Sequence, residues 1–172
     1  CDWYVELSKP VIWDEEDNPE QAQASRFVLI SVLEKSLKLL HPFMPFISEE
    51  IWQRVAPLLN IAGDSIMVQP YPTYTEDNIS IEAEADIDWI KGVVIAIRNI
   101  RGEMDISPAK AIDVLLHKGG DADKTCLDNY RQYLQKLTKL NSIQWLAADQ
   151  TPPAAATQLY KELEILVPLA GL

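Results

Sequence analysis

Cysteine and histidine are scarce, two of each in 172 residues. Cys1 and Cys126 make neither a disulfide framework nor a metal-binding spacing, and so few thiols point by default to a reducing compartment. His41 and His117 stand alone, so a zinc site is not expected. The 6 glycines include no phosphate-loop spacing, which Lys118-Gly119-Gly120 does not supply. Serine and histidine show no nucleophile-elbow context. No apolar run reaches the roughly 18 residues of a membrane span. No basic leader followed by an apolar stretch opens the chain, so no signal peptide is read, and the cytoplasm is the expected location. No catalytic residue, metal ligand or resident cofactor is expected in this chain.

Positive charge is also in short supply. The chain has Lys+Arg 15 against Asp+Glu 26, a net −11, and such a field repels nucleic acid at long range. The excess is uneven. Residues 1–81 hold 5 Lys/Arg and 13 Asp/Glu, residues 82–120 hold 5 and 7, and residues 121–172 hold 5 and 6. Any RNA contact therefore needs local basic stripes, and the nearly neutral later segments are where they can lie.

What is present suits folding. The hydrophobic fraction is 48%, and a chain of this size buries roughly 70% of its unfolded surface, so disorder is excluded over most of the length. The length fits one domain or two small ones. Cys1 stands where a start methionine would, and the chain closes on apolar Val167-Pro168-Leu169-Ala170-Gly171-Leu172. The expectation is a piece of a longer protein.

Periodicity places the elements. Residues 2–13 read as a helix end broken near Pro10. A helix follows from about Glu20 to Leu40, with Leu29, Ile30, Leu33, Leu37 and Leu40 as its apolar stripe, and His41-Pro42 stops it. His41 is read as a capping or packing residue. Pro45 suits the first turn of the next helix, on which Ile47, Ile51, Val55 and Leu58 form the apolar face beside Trp52. Residues 64–81 read as a stiff, extended connector. A helix over 82–104 presents Ile87, Ile90, Val94 and Ile97, widened by Val93, Ile100 and Met104. Ala111–His117 reads as a strand with a solvated His117 at its end, 121–140 as a helix with Leu127, Tyr130, Leu134 and Leu137, and 142–147 as a second strand. Residues 156–167 read as a hairpin. The fold class is α+β. A partial helical bundle (1–63) and the connector (64–81) lead to a helix plus β-α-β-β subdomain (82–172) with a mixed or antiparallel sheet.

One helix carries a candidate basic ridge. At about 100° per residue, Lys91, Arg98 and Arg101 fall within an arc of roughly 80° on one edge of the apolar face of helix 82–104, and Lys110 extends it. Such a ridge can grip phosphates. The same spacing also fits a structural arrangement, in which Arg101 forms a buried ion pair with a carboxylate such as Asp105 or Glu50 while Lys91 and Arg98 snorkel. Lys35, Lys38 and Arg54 form a second, weaker set, and Lys124, Arg131, Lys136 and Lys139 a third. Tyr71, Tyr74 and Trp52 can stack on bases or pack in the core and loops.

Particular strings carry a resemblance. Asp2-Trp3-Tyr4-Val5-Glu6-Leu7-Ser8-Lys9-Pro10 and His41-Pro42-Phe43-Met44-Pro45-Phe46-Ile47-Ser48-Glu49-Glu50-Ile51-Trp52 are similar to the anticodon-binding bundle of class I aminoacyl-tRNA synthetases for Val, Ile and Leu. Ser65-Ile66-Met67-Val68-Gln69-Pro70-Tyr71-Pro72, Ile97-Arg98-Asn99-Ile100-Arg101-Gly102-Glu103-Met104 and the terminal Leu163–Leu172 resemble the bacterial valyl enzymes in particular.

The resemblance implies an anticodon-arm-binding piece of an aminoacyl-tRNA ligase. Its partners would be tRNA(Val) and the remaining domains of the parent synthetase, with no membrane. The parent would use ATP and magnesium, but the His-x-Gly-His and Lys-Met-Ser-Lys-Ser motifs of a catalytic domain do not occur here. The resemblance also places bundle helices before Cys1 and a coiled-coil arm after Leu172. Lys91, Arg98, Arg101 and Lys110 are the expected RNA-binding residues. Four phosphate contacts would make log K fall against log salt with a slope of about −3.

Overall fold

The structure, a computed structural model, describes residues 2–13, 16, 18–76, 79–147 and 150–170. The chain divides into two compact units, Cys1–Ile79 and Ser80–Leu172.

The first unit is helical. Helix α1 spans Asp2–Trp13 and continues through Pro10, where a break was expected. Pro10 lacks the N–H that would reach the Glu6 carbonyl, but the helix ends three residues later, so the loss falls in its last turn. Helix α2 spans Pro19–Leu40 with Pro19 at its first turn. The backbone N–H of His41 donates to the Leu37 carbonyl at 2.9 Å, so His41 caps the helix as expected. The Ser48 hydroxyl donates to the Met44 carbonyl (2.7 Å), which leaves His41 Nδ1 as the donor to Ser48 Oγ at 2.7 Å. Helix α3 spans Pro45–Val55, and a 3-10 turn, Ala56–Leu59, follows it.

The buried faces of α2 and α3 are rotated from the expected ones. Leu37 is buried, but Leu33 and Leu40 of the α2 stripe are exposed. On α3 the buried positions are Ser48, Trp52 and Val55, while Ile47, and Leu58 in the turn that follows, are exposed. The core of this unit is Leu37, Trp52, Val55, Ala56 and Ile66, with Ile30, Ile51 and Ile61 packed on it. Trp52 is core rather than a stacking platform: it is 1% exposed and its Nε1 donates to Glu34 Oε1 at 3.0 Å. Glu34 in turn pairs with Lys38 at 2.7 Å, so this buried carboxylate is doubly satisfied.

Ile66 belongs to a short 3-10 turn, Ile66–Val68, inside the stretch read as an extended connector. Glu49 Oε2 accepts from the Ser65 hydroxyl at 2.9 Å and from the Ile66 N–H at 3.2 Å, which ties the turn to α3. Hydrogen bonds from Gln53, Ser65 and Ile66 hold the Glu49 carboxyl below its ordinary range.

The second unit is α+β. Helix α4 spans Ile81–Glu103, with Ser80 as N-cap accepting from the Ala83 N–H and Glu82 and Glu84 in the first turn, where the helix dipole favours them. Strand β1 (Ile112–His117), helix α5 (Asp121–Thr138) and strand β2 (Leu140–Trp145) form a parallel β-α-β unit. Strands β3 (Ala155–Tyr160) and β4 (Leu163–Pro168) form a hairpin, with Lys161 at φ 55 in its two-residue turn. The sheet order is β2-β1-β4-β3, and β4 is antiparallel to β1. The sheet is therefore mixed.

Helix α4 buries Ile90, Val93, Val94, Ile97 and Ile100 as the period predicts, with Trp89 and Ala96 added. It packs against α5, β3 and β4. Gly92 permits the approach to β3. A Cβ there would lie 2.0 Å from Cε2 of the Tyr160 ring, and the Tyr160 hydroxyl donates to the Asp88 carbonyl at 3.2 Å. His117 departs from the solvated reading. It is buried, and its Nδ1 lies 2.9 Å from Glu164 Oε2, because register pairs His117 with Glu164 across β1 and β4. Lys118 and His117 hold the Glu164 carboxyl below its ordinary range.

Candidate nucleic-acid interface

The four expected RNA-binding residues all lie in the second unit, but in different environments. Lys91 is half-buried on α4 and pairs with Asp88 one turn earlier at 3.3 Å. Arg98 is exposed on α4, and Lys110 is exposed in the loop before β1. Arg101 is 7% exposed and does not join them at the surface.

Arg101 does its work inside. Its Nη1 donates to the carbonyls of Ser107 (3.0 Å) and Lys110 (2.9 Å), and its Nη2 to those of Thr138 (2.8 Å) and Lys139 (3.1 Å). Thr138 is the last residue of α5 and Lys139 its C-cap, so these are orphan carbonyls of a helix end. A guanidinium there satisfies them and complements the negative end of the helix dipole. The expected carboxylate partner is replaced by backbone oxygens, and Glu50 pairs with Arg54 instead, at 2.6 Å. Burial pushes the Arg101 guanidinium below its ordinary value. No sequence signal pointed to this clasp, because every residue type carries a carbonyl.

A second polar cluster joins the N-terminal halves of α4 and α5. Trp89 Nε1 donates to Asp123 Oδ1 at 2.7 Å, and Asp123 Oδ2 accepts from the Gly120 N–H at 2.8 Å. The Tyr130 hydroxyl donates to Asp86 Oδ2 at 2.6 Å, and the Cys126 thiol lies 3.5 Å from Asp86 Oδ1. Burial and the Asp86 carboxylate push the Cys126 thiol up to about 11. The bond to Asp86 and burial push the Tyr130 phenol up to about 12.

These shifts predict two behaviours. At pH 8 the Cys126 thiolate fraction is on the order of one in a thousand, so alkylation in the folded protein is about a hundredfold slower than for a free thiol; mass spectrometry of the Cys126 peptide reads the rate. A folded-state pKa above the unfolded value stabilises the fold below the unfolded pKa and is lost as pH rises through the folded one. The urea midpoint should therefore fall between about pH 9 and 12, and fall less in a Cys126→Ala, Tyr130→Phe variant. Equal falls in the two proteins would contradict the assignment.

Exposed aromatic residues lie in the first unit. Tyr71 and Tyr74 are exposed, which suits base stacking. Among the described residues, no three His, Cys, Asp or Glu side chains group as metal ligands, and no helix is long and apolar enough to cross a membrane.

The family of anticodon-binding domains of tRNA ligase matches this chain over residues 1–116, which takes in the whole first unit, α4 and most of β1. The chain belongs to that family. It is an anticodon-binding part of an aminoacyl-tRNA ligase, a protein of translation, with tRNA as the partner that the family implies.

Proposed function

We propose that the chain grips the anticodon arm of tRNA(Val) for a valine–tRNA ligase whose ATP- and magnesium-dependent chemistry is done by other domains, in the cytoplasm. The family match over residues 1–116 carries the anticodon-binding part of this reading. The valine assignment is supported by the strings Ser65–Pro72, Ile97–Met104 and Leu163–Leu172. An anticodon loop is single-stranded, so its bases can splay and stack on exposed rings such as Tyr71 and Tyr74. Lys91, Arg98 and Lys110 supply phosphate contacts that set register. Arg101 enters as a positioning residue, because a phosphate would have to displace four carbonyls to reach it. Binding at this distance contributes positioning energy to the reaction.

Exposed apolar side chains in the first unit fit the same reading. Phe27, Val32, Phe43, Phe46 and Ile47 are all exposed. A helix that is apolar on more than one face belongs inside a larger assembly, and the remaining domains of the parent synthetase are the proposed cover.

The test is nuclease protection of tRNA(Val) by the chain, with tRNA(Ile) and tRNA(Leu) as competitors. Protection should map to the anticodon arm and be stronger for tRNA(Val). Arg98→Ala should weaken binding and reduce the salt slope by about 1. Equal protection of the three tRNAs would remove the valine assignment. Protection confined to the acceptor stem would remove the anticodon role.

A further inference from the structure

We propose that Lys136 and Lys139 join Lys110 in a phosphate-binding corner of this unit, built by the Arg101 clasp and contacting the tRNA backbone; this rests on the tRNA-binding reading above.

The unit Ser80–Leu172 holds ten Lys and Arg residues, and most of them are occupied. Lys91 pairs with Asp88, Lys118 with Glu164 and Lys124 with Asp121. Arg131 pairs with Asp128 and donates to the Ile143 carbonyl. Lys161 lies 5.2 Å from the Tyr160 ring centroid. Arg101 holds four carbonyls, and Arg98 also has an interaction. Among the described residues, the ammonium groups of Lys110, Lys136 and Lys139 have no partner, and all three are exposed.

The backbone brings their segments together. The carbonyls of Lys110 and Lys139 accept from the same guanidinium, so the loop before β1 and the end of α5 meet there. Lys136 lies in the last turn of α5, and Lys139 is the C-cap that follows it. Two of the neighbouring acids have other partners: Asp113 accepts from the Ser142 hydroxyl and Glu103 from Gln158. Asp105 stands exposed in the same loop.

Backbone strain marks Lys139. The described non-glycine residues with positive φ are Asn60, Asp105, Lys118, Lys139 and Lys161. Asn and Asp tolerate this conformation; lysine has no such preference. Lys118 and Lys161 use their side chains, on Glu164 and on the Tyr160 ring. Lys139, at φ 51, sits where glycine is the favoured helix C-cap, and its ammonium makes no internal contact. The helix dipole favours Lys136 and Lys139 at this end, but it does not explain Lys110 or a lysine in a glycine position. Clustered, unpaired, exposed cations are what a phosphate backbone requires. Lys136 and Lys139 also lie beyond the span of the family match.

The experiment measures tRNA(Val) affinity against salt for the whole chain and its variants. In the Lys136→Gln, Lys139→Gln double variant, which leaves Lys110 in place, the salt slope should shrink by about 2. Lys139→Gly removes a charge and relieves strain, so its slope should shrink by about 1 while its urea midpoint stays level or rises. That combination separates a binding role from a structural one. Unchanged slopes in both variants, with Arg98→Ala still impaired, would overturn the corner and leave the α4 ridge intact. Impairment in both with Arg98→Ala unaffected would confirm the corner and remove Arg98 from the ridge. Absence of tRNA binding at low salt would overturn both readings. Loss of polyglutamate binding with tRNA binding intact would assign the corner to an acidic protein and overturn the RNA proposal.

Discussion

Replacing Arg101 with alanine is expected to cost the unit Ser80–Leu172 roughly 3–5 kcal/mol of stability. The substitution strips donors from four carbonyls at once, those of Ser107, Lys110, Thr138 and Lys139. Buried oxygens left without partners lose more than a neutral hydrogen bond supplies. A domain of this size is typically stable by about 5–15 kcal/mol, so the loss is a large share of the total. Arg101→Lys should recover little, because an ammonium donates from a single atom and cannot span two pairs of carbonyls. The readout is urea unfolding together with amide exchange at residues 104–111 and 138–141, where protection should fall first. A loss under about 1 kcal/mol would mean that the clasp is dispensable and Arg101 is free to serve elsewhere.

Trp52→Ala should cost the unit Cys1–Ile79 about 3–5 kcal/mol. The indole is among the largest fully buried side chains, and Leu37, Val55, Ala56 and Ile66 gather with it in a core of modest size. The substitution leaves a cavity and also withdraws the Nε1 donor from buried Glu34. Trp52→Phe separates the two effects. It keeps most of the volume and loses the bond to Glu34, so it should cost only about 1–3 kcal/mol. Amide exchange across α2 and α3 measures both. If phenylalanine proves as damaging as alanine, the Glu34 bond rather than packing dominates this core.

The α+β order was legible because its signals are local. Proline at the first turn of α3, acidic residues at the start of α4 and a 3.6-residue apolar period each act within a few residues; Pro19, which reads as the end of a loop, instead opens α2. The period of α4 matched most of its buried face because that helix lies against a sheet and a second helix, but Ile87 is only half-buried and Met104, the C-cap, is exposed. The periods of α2 and α3 misled for the opposite reason. Apolar side chains lie on more than one side of both helices, so spacing did not separate exposed Leu33, Leu40 and Ile47 from buried Leu37 and Val55, and nothing local marked Ser48 or Glu34 for burial. Burial went to the positions that α2 and α3 turn toward each other. A buried His117 was equally hidden, since its partner Glu164 is distant in sequence and reaches it through strand register.

The candidate interface divides along the same line. Helical spacing alone put Lys91, Arg98 and Arg101 on one edge of α4, and the chain's strings placed it among tRNA-ligase anticodon-binding domains, an assignment the family match bears out. Folding decided which cations remain available. Whether a guanidinium meets solvent or carbonyls depends on which backbone segments close around it, and those at Ser107–Lys110 and Thr138–Lys139 come together only when β1, α5 and β2 are assembled. The code of side chains determined where charge lies along each helix; the meeting of distant carbonyls, which every residue carries alike, determined that Arg101 turns inward while Lys110, Lys136 and Lys139 stay outside.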